Sequence, residues 1–316
     1  MSFALKPDRC LRKNIHRIAR KQLDNALVEL TGEKDPRDEA VHEARKCLKK
    51  LRAVLRLVRP AIRAKSFRAE NVCFRDAARP LTEVRDAKIL IETLDGLVEH
   101  FRAQIAGRAF ADVRKALQDH LRGVRKQVLD EQNAFATVGE VVRQAARRVN
   151  RWTDVPNRWP ALGAGLEDTY RRAGTAYRKA ATDPTVPALH EWRKQVKYLR
   201  YQLELLRPIW PERLEELATE ADHLGDLLGD DHDLAVLRQL LTDEPDRFGA
   251  AGDRELLLAL IDRRRAELEE ESLRLGERFF QERPRAFVRR LKGYWKAWRA
   301  PTAAPMQTAS ATVSTR

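Results

Sequence analysis

Apolar residues recur three and four positions apart along most of the chain, and Ala, Arg, Glu and Lys fill much of the space between them. That period matches the turn of an amphipathic helix, and no stretch alternates with the period of two that a half-buried strand requires. The pattern therefore predicts an all-α protein. The 14 Gly and 14 Pro gather at Gly32 to Pro36, Pro60, Pro156 to Gly165, Pro184 to Pro187, Pro208 to Pro211, Glu244 to Gly252 and beyond Pro301, and mark helix ends. Residues 301–316 are small and polar and predict a disordered tail.

The same pattern occurs twice. Residues 40–60, AVHEARKCLKKLRAVLRLVRP, align without a gap on residues 188–208, ALHEWRKQVKYLRYQLELLRP, and share 12 of 21 positions. A weaker echo sets LTEVRDAKIL (81–90) against LGDDHDLAVL (228–237) at nearly the same offset. The expected organisation is a tandem duplication, with a first helical bundle at 1–157, a second at 158–300, and a joint at Trp152 to Gly165. Two such bundles, related by a pseudo-twofold axis, would line a basic central cavity twice with whatever the repeat carries on its polar face.

On a helical wheel with His42 at zero, Arg45, Lys46, Lys49, Arg52 and Arg56 fall between about 280° and 40°. Cys47, Leu48, Leu51, Val54, Leu55 and Val58 fall on the other side. The second copy repeats the ladder with His190, Arg193, Lys194, Lys197 and Arg200, but places Glu204 where the first has Arg56. Like charges at i,i+4 destabilise a helix by a few tenths of a kcal/mol unless something answers them. Either acids on neighbouring helices answer the ladder, or a phosphate-like polyanion does. Arg would supply a planar fork, Lys a point charge, and His a hydrogen bond or a charge induced by phosphate. In the weaker repeat, Arg85-Asp86 matches His232-Asp233. The two Asp are either ordinary N-caps or hold cations in place, while Arg85 and His232 meet the anion.

Net charge sharpens the choice. The chain of 316 residues carries +14, and 34 Lys+Arg against 21 Asp+Glu lie in residues 1–157, with 27 against 26 in residues 158–316. Such a field attracts polyanions. No apolar run is long enough to span a bilayer, so membrane insertion is not expected. The segment MSFALKPDRCLRKN lacks a signal-peptide core, which predicts a cytoplasmic protein. Cys10, Cys47 and Cys73 have neither disulfide nor zinc spacing. A metal phosphohydrolase built on His223, Asp230, Asp231, His232 and Asp233 is a weaker reading, because the matching first-half positions hold an arginine, which cannot ligate. No phosphate loop, nucleophile elbow or HExxH occurs, so neither catalytic residues, metal nor cofactor is expected. Residues 283–299, RPRAFVRRLKGYWKAWR, mix aromatics with bases and could meet a membrane or nucleic acid. The spacing of Phe287, Leu291, Tyr294 and Trp298 reads instead as a core stripe.

The paired HExRKxxKxLR segments, His42 to Arg52 and His190 to Arg200, resemble the CHAD family, the conserved histidine α-helical domain. The echo at 81–90 and 228–237 resembles its second recurring segment, and the likeness covers roughly residues 5–298. It implies two helical bundles around a basic cavity and non-catalytic binding of inorganic polyphosphate. Carried over, the polyphosphate-binding positions are His42, Arg45, Lys46, Lys49, Lys50, Arg52, Arg85, His190, Arg193, Lys194, Lys197, Arg200 and His232. Lys49-Lys50 keeps the family's paired lysines, whereas Lys197-Tyr198 keeps one. With no ExExK motif, the chain is similar to the stand-alone kind, which in bacteria implies association with polyphosphate granules and their proteins. Single-stranded nucleic acid is the alternative ligand, expected to need aromatics between the cations.

Overall fold

Proline sets where several helices start. Pro160, Pro187, Pro211 and Pro284 each stand in the first turn of a helix, where a missing N–H leaves no bond unmade. The computed structural model describes residues 3–32, 37–105, 109–152, 155–248 and 251–300. Among them the chain forms α1 (Leu11–Thr31), α2 (Arg37–Leu57), α3 (Ala64–Ala77), α4 (Thr82–His100), α5 (Ala111–Arg125) and α6 (Ala134–Arg148). There follow α7 (Pro160–Thr182), α8 (Val186–Leu206), α9 (Pro211–Asp243), α10 (Ala251–Phe279) and α11 (Pro284–Arg299). No described residue lies in a strand. The tail expected at 301–316 lies outside the described residues.

The apolar faces decide which helices meet. On α2, Val41, Ala44, Leu48, Leu51 and Leu55 are essentially inaccessible, each at 1% exposure or less. The main core joins α1, α2 and α6 to α7, α8 and α11, so it draws on residues from both sides of the expected joint. A second core joins α4 and α5 to the later part of α9 and to α10, again from both sides. A smaller cluster closes around the fully buried Trp192 between α7, α8 and α9. The closing helix α11 buries Phe287, Val288, Leu291 and Trp295. Phe287 stacks on Tyr170 at 4.4 Å, and Tyr294 stacks on Trp210 at 3.6 Å.

The two halves differ in one long element. After α2 the chain makes α3, a turn at Ala78 to Leu81, and α4, whereas after α8 it makes the unbroken 33-residue α9. Pro80 lies in that turn, and a proline inside a helix would lose a bond and clash with the preceding turn. Asp86 and Asp233 consequently lie within α4 and α9, and neither is an N-cap.

The joint is also shorter than the glycine pattern predicts, because α7 begins at Pro160 and takes in Gly163 and Gly165. Gly165 is needed for contact: a Cβ there would fall 1.9 Å from the carbonyl oxygen of Leu57, where α7 crosses the end of α2. Helix backbones approach this closely only where the side chain is absent. Nearby, Gln202 of α8 donates to the Ala53 carbonyl of α2 at 3.2 Å and to the Thr169 hydroxyl of α7 at 3.0 Å. These contacts fix α2 against α7 and α8.

Gly165→Ala is expected to lower the unfolding free energy by about 3 kcal/mol, the upper range for overpacking. It should appear as a lower urea midpoint at unchanged slope. A variant as stable as wild type would mean that α2 and α7 can part without cost.

Candidate functional site

α2 packs on α4 and α8, while α9 packs on α4 and α8. Their polar faces border two adjoining cavities of about 380 Å³ and about 250 Å³. Arg45, Lys49, Arg85, Arg193 and Lys197 line both. The larger also takes His42, Lys46 and Arg200, and the smaller takes Arg52, His190, Lys194 and His232. Lys50 alone among the residues expected at the site borders neither. It bonds Glu204 at 3.0 Å, with its ammonium 4.5 Å from the Phe3 ring centre. Its wheel position, near 80°, already stands at the edge of the apolar face.

The two ladders are answered differently. In the second, Lys197 pairs with Asp226 at 2.9 Å and Asp222 at 3.4 Å, and Arg200 pairs with Asp222 at 2.9 Å and Glu204 at 3.6 Å. In the first, Arg45 meets only neutral oxygens, the Ala78 carbonyl at 2.9 Å and the Thr82 hydroxyl. Arg52 bonds the Asn71 side chain at 3.2 Å. Lys49 has no hydrogen bond or ion pair with any described residue, and the buried Nε of Arg193 is likewise unpartnered. Lys46 and Lys194 each fold back on a glutamate of their own helix, Glu43 and Glu191.

The cost shows in the titration of these groups. Lys49 is held down to about 7, by burial first and then by Arg45, Arg193, Arg85 and Lys197. By accessible surface Lys49 is nonetheless exposed, since the cavity around it is open to solvent, and water screens part of this repulsion. Arg193 is lowered by burial, with Arg85 adding to the effect and Asp233 opposing it. His232 falls to about 4 through burial, His190 and Arg193, so it is neutral at pH 7. The rings of His190 and His232 lie 4.3 Å apart, and each has a buried Nδ1 without a partner. His42, more exposed, is lowered mainly by burial.

α9 contributes features that the ladders alone do not announce. Asp226, Asp230 and Asp233 form an acidic strip on its cavity face. Asp233 pairs with Arg85 at 3.4 Å. Gly225 and Gly229 leave room for Lys197 and Arg193 to cross α9: a Cβ would come within 3.0 Å of Lys197 and 3.1 Å of Arg193. Their one-turn spacing in LGDLLGDDHD is the signal that sequence reading passed over. The histidines and acids of the metal reading point apart. His223 faces Glu271, Asp231 faces Arg265 at 2.9 Å, and His232 faces His190. Among the described residues no group of three or more His, Cys, Asp or Glu is placed to hold a metal ion.

The model of the CHAD domain matches residues 17–242, more than half of the chain. The chain belongs to the CHAD family. The crystal structure of the CHAD domain from the plant Ricinus communis matches this CHAD protein with a TM-score of 0.52 and 17% sequence identity. That match covers 96% of this chain and 97% of the plant domain, and it extends the shared fold to α10 and α11, beyond the residues of the family match. A comparison with curated proteins finds no match. No helix among the described residues of this CHAD chain is long and apolar enough to cross a membrane.

Because the folded state holds Lys49 near 7 while an unfolded lysine titrates near 10.5, its charge opposes folding. That cost is full below pH 7, where the group is charged in both states, and fades as pH rises to 10.5. Lys49→Met is therefore expected to stabilise the ligand-free protein at pH 6 by up to about 1 kcal/mol after solvent screening. The gain should vanish near pH 10.5. Thermal unfolding across that range checks it, and a gain that grows with pH would contradict it.

Proposed function

We propose that this CHAD protein binds inorganic polyphosphate without turning it over, in the cavities between α2, α4, α8 and α9. The observation that carries this reading is the convergence of Arg45, Lys49 and Arg193 without a carboxylate of any described residue within ion-pair distance. Cations so crowded lower their energy by taking up an anion with several charges, and arginine forks can grip phosphate oxygens two at a time. Polyphosphate offers no base or sugar, so cation spacing alone selects it. We read the two ladders as products of a tandem duplication, related by a pseudo-twofold axis, and the joined cavities as the basic central cavity that they share. The first ladder, in which Arg45 and Arg52 meet neutral oxygens, makes the stronger contact. The second, already paired to Asp222 and Asp226, makes the weaker one.

Nucleic acid fits less well. Tyr198 and Tyr201 line the smaller cavity, yet they are 3% and 7% exposed. Guanidinium groups already cover them: Arg56 lies 3.9 Å from the Tyr198 ring centre, and Arg200 lies 4.9 Å from that of Tyr201. Stacking readout of single strands needs an open aromatic face. Binding at this site would suit a cytoplasmic protein that associates with polyphosphate granules and their proteins.

The test is a titration of long-chain polyphosphate against wild type, Lys49→Ala/Arg193→Ala, and Arg143→Ala/Arg147→Ala on the outer face of α6. The cavity variant is expected to lose about 3 kcal/mol of binding, roughly a hundredfold, while the outer variant binds as wild type does. No phosphate should be released on incubation. Equal binding by the cavity variant would overturn the site, and phosphate release would overturn the non-catalytic reading.

A further inference from the structure

The cationic face of α2 does not end at the cavities. Arg52 lines the smaller one, and Arg56 stands one turn further on, where it shares the Asn71 side-chain oxygen with Arg52 at 2.7 and 3.2 Å. The Arg56 guanidinium lies 3.9 Å from the Tyr198 ring centre and has no carboxylate of a described residue within ion-pair distance. Arg59 follows in the turn after α2, and across from it Arg171 and Arg172 rise from α7. One carboxylate, Asp168, serves all three: Arg172 at 2.8 Å, Arg59 at 3.8 Å, and Arg171. The nearby Asp76 is engaged by Arg75 at 2.8 Å. Along Arg52, Arg56, Arg59, Arg171 and Arg172 the charge is thus largely unanswered.

The second half has no such continuation. Its ladder stops at Glu204, which pairs with Lys50 and Arg200, and Arg207 beyond it pairs with Glu215 at 2.6 Å. The cationic path therefore leaves the cavities on one side only. From Arg45 to Arg59 it covers about 20 Å at 1.5 Å per residue. Arg56 is held below its ordinary value by burial, with Arg52, Arg172 and Arg59 adding to the effect and Tyr198 opposing it. These arginines therefore feel one another as a continuous strip.

From this placement we infer that Arg56, Arg59 and Arg172 form an exit track, a second binding segment for a linear polyphosphate too long for the cavities, which makes the site selective for long chains. The inference rests on the polyphosphate reading of the cavities. It adds a direction, since a chain held between α2 and α8 continues over the end of α2 towards α7 and not over the end of α8. A chain confined to the cavities never reaches Arg59.

The test compares tripolyphosphate with long-chain polyphosphate on wild type, Arg59→Gln/Arg172→Gln, and Arg56→Gln/Arg59→Gln/Arg172→Gln. The double variant changes only exposed side chains, so it reports even if loss of the Arg56 contact to Tyr198 weakens the fold. Long-chain affinity is expected to fall about tenfold in the triple variant and by a smaller factor in the double. Its salt slope should drop by about 0.7 for each lost contact, as for single-stranded polyanions. Tripolyphosphate binding should not change. Unchanged long-chain binding in both variants would overturn the track and leave the cavities standing, and so would equal losses for both ligands. A wild type that binds neither ligand would overturn the cavity reading and the track with it.

Discussion

Arg45, Lys49, Arg85 and Arg193 are held in one space against their mutual repulsion, and the apolar packing behind them is what keeps them there. At the effective dielectric of a protein two like charges 4 Å apart repel by about 4 kcal/mol, and by about half that at twice the distance. Burial of a leucine contributes roughly 1.5–3 kcal/mol. On α2 alone, Leu48, Leu51 and Leu55 are completely buried. The hydrophobic faces of α2 and α8 therefore dictate where the cations are rooted. An anion with several charges relieves a strain that the fold itself cannot. For the polyanion proposed above, cations placed in advance would leave little ordering cost to binding.

The all-helical fold and the content of the ladder were readable for the same reason. A period of 3.6 residues fixes both the buried face of α2 and the opposite face that carries Arg45, Lys46, Lys49 and Arg52. What could not be read is how each ladder is answered. Asp222 and Asp226 lie more than 20 residues from Lys197 in sequence, and their pairing depends on which face α9 turns to α8. The equivalent first-half helix is cut by the Pro80 turn, and the oxygens that Arg45 meets there belong to Ala78 and Thr82. Three positions did carry a local signal that the motif hid. Lys50 sits at the edge of the helical wheel, and Gly225 and Gly229 are spaced one turn apart. The joint misled in the other direction, because Gly163 and Gly165 look like linker residues but serve a close helix crossing.

The asymmetry between ladders gives the CHAD fold of this chain a polarity that its repeated motif conceals. The His-headed segments are alike in sequence, yet Arg45 and Arg52 of the first are bonded to neutral oxygens while Lys197 and Arg200 of the second are paired to carboxylates. The same asymmetry continues outward, where Arg56 and Glu204 occupy equivalent rungs with opposite charge. Helices alike in sequence thus frame an environment that is electrostatically one-sided.

The central claim is that Lys49 is crowded by cations and waits for an anion, and its own titration tests that most directly. Lysine Cε carbons labelled with ¹³C, with Lys49 assigned by its loss in Lys49→Met, can be followed by NMR across pH with and without polyphosphate. The account predicts that Lys49 titrates near 7 in the free protein and moves upward when polyphosphate is bound, with uptake of a proton between the two values. A Lys49 that titrates near the ordinary 10.5 in both states would contradict it.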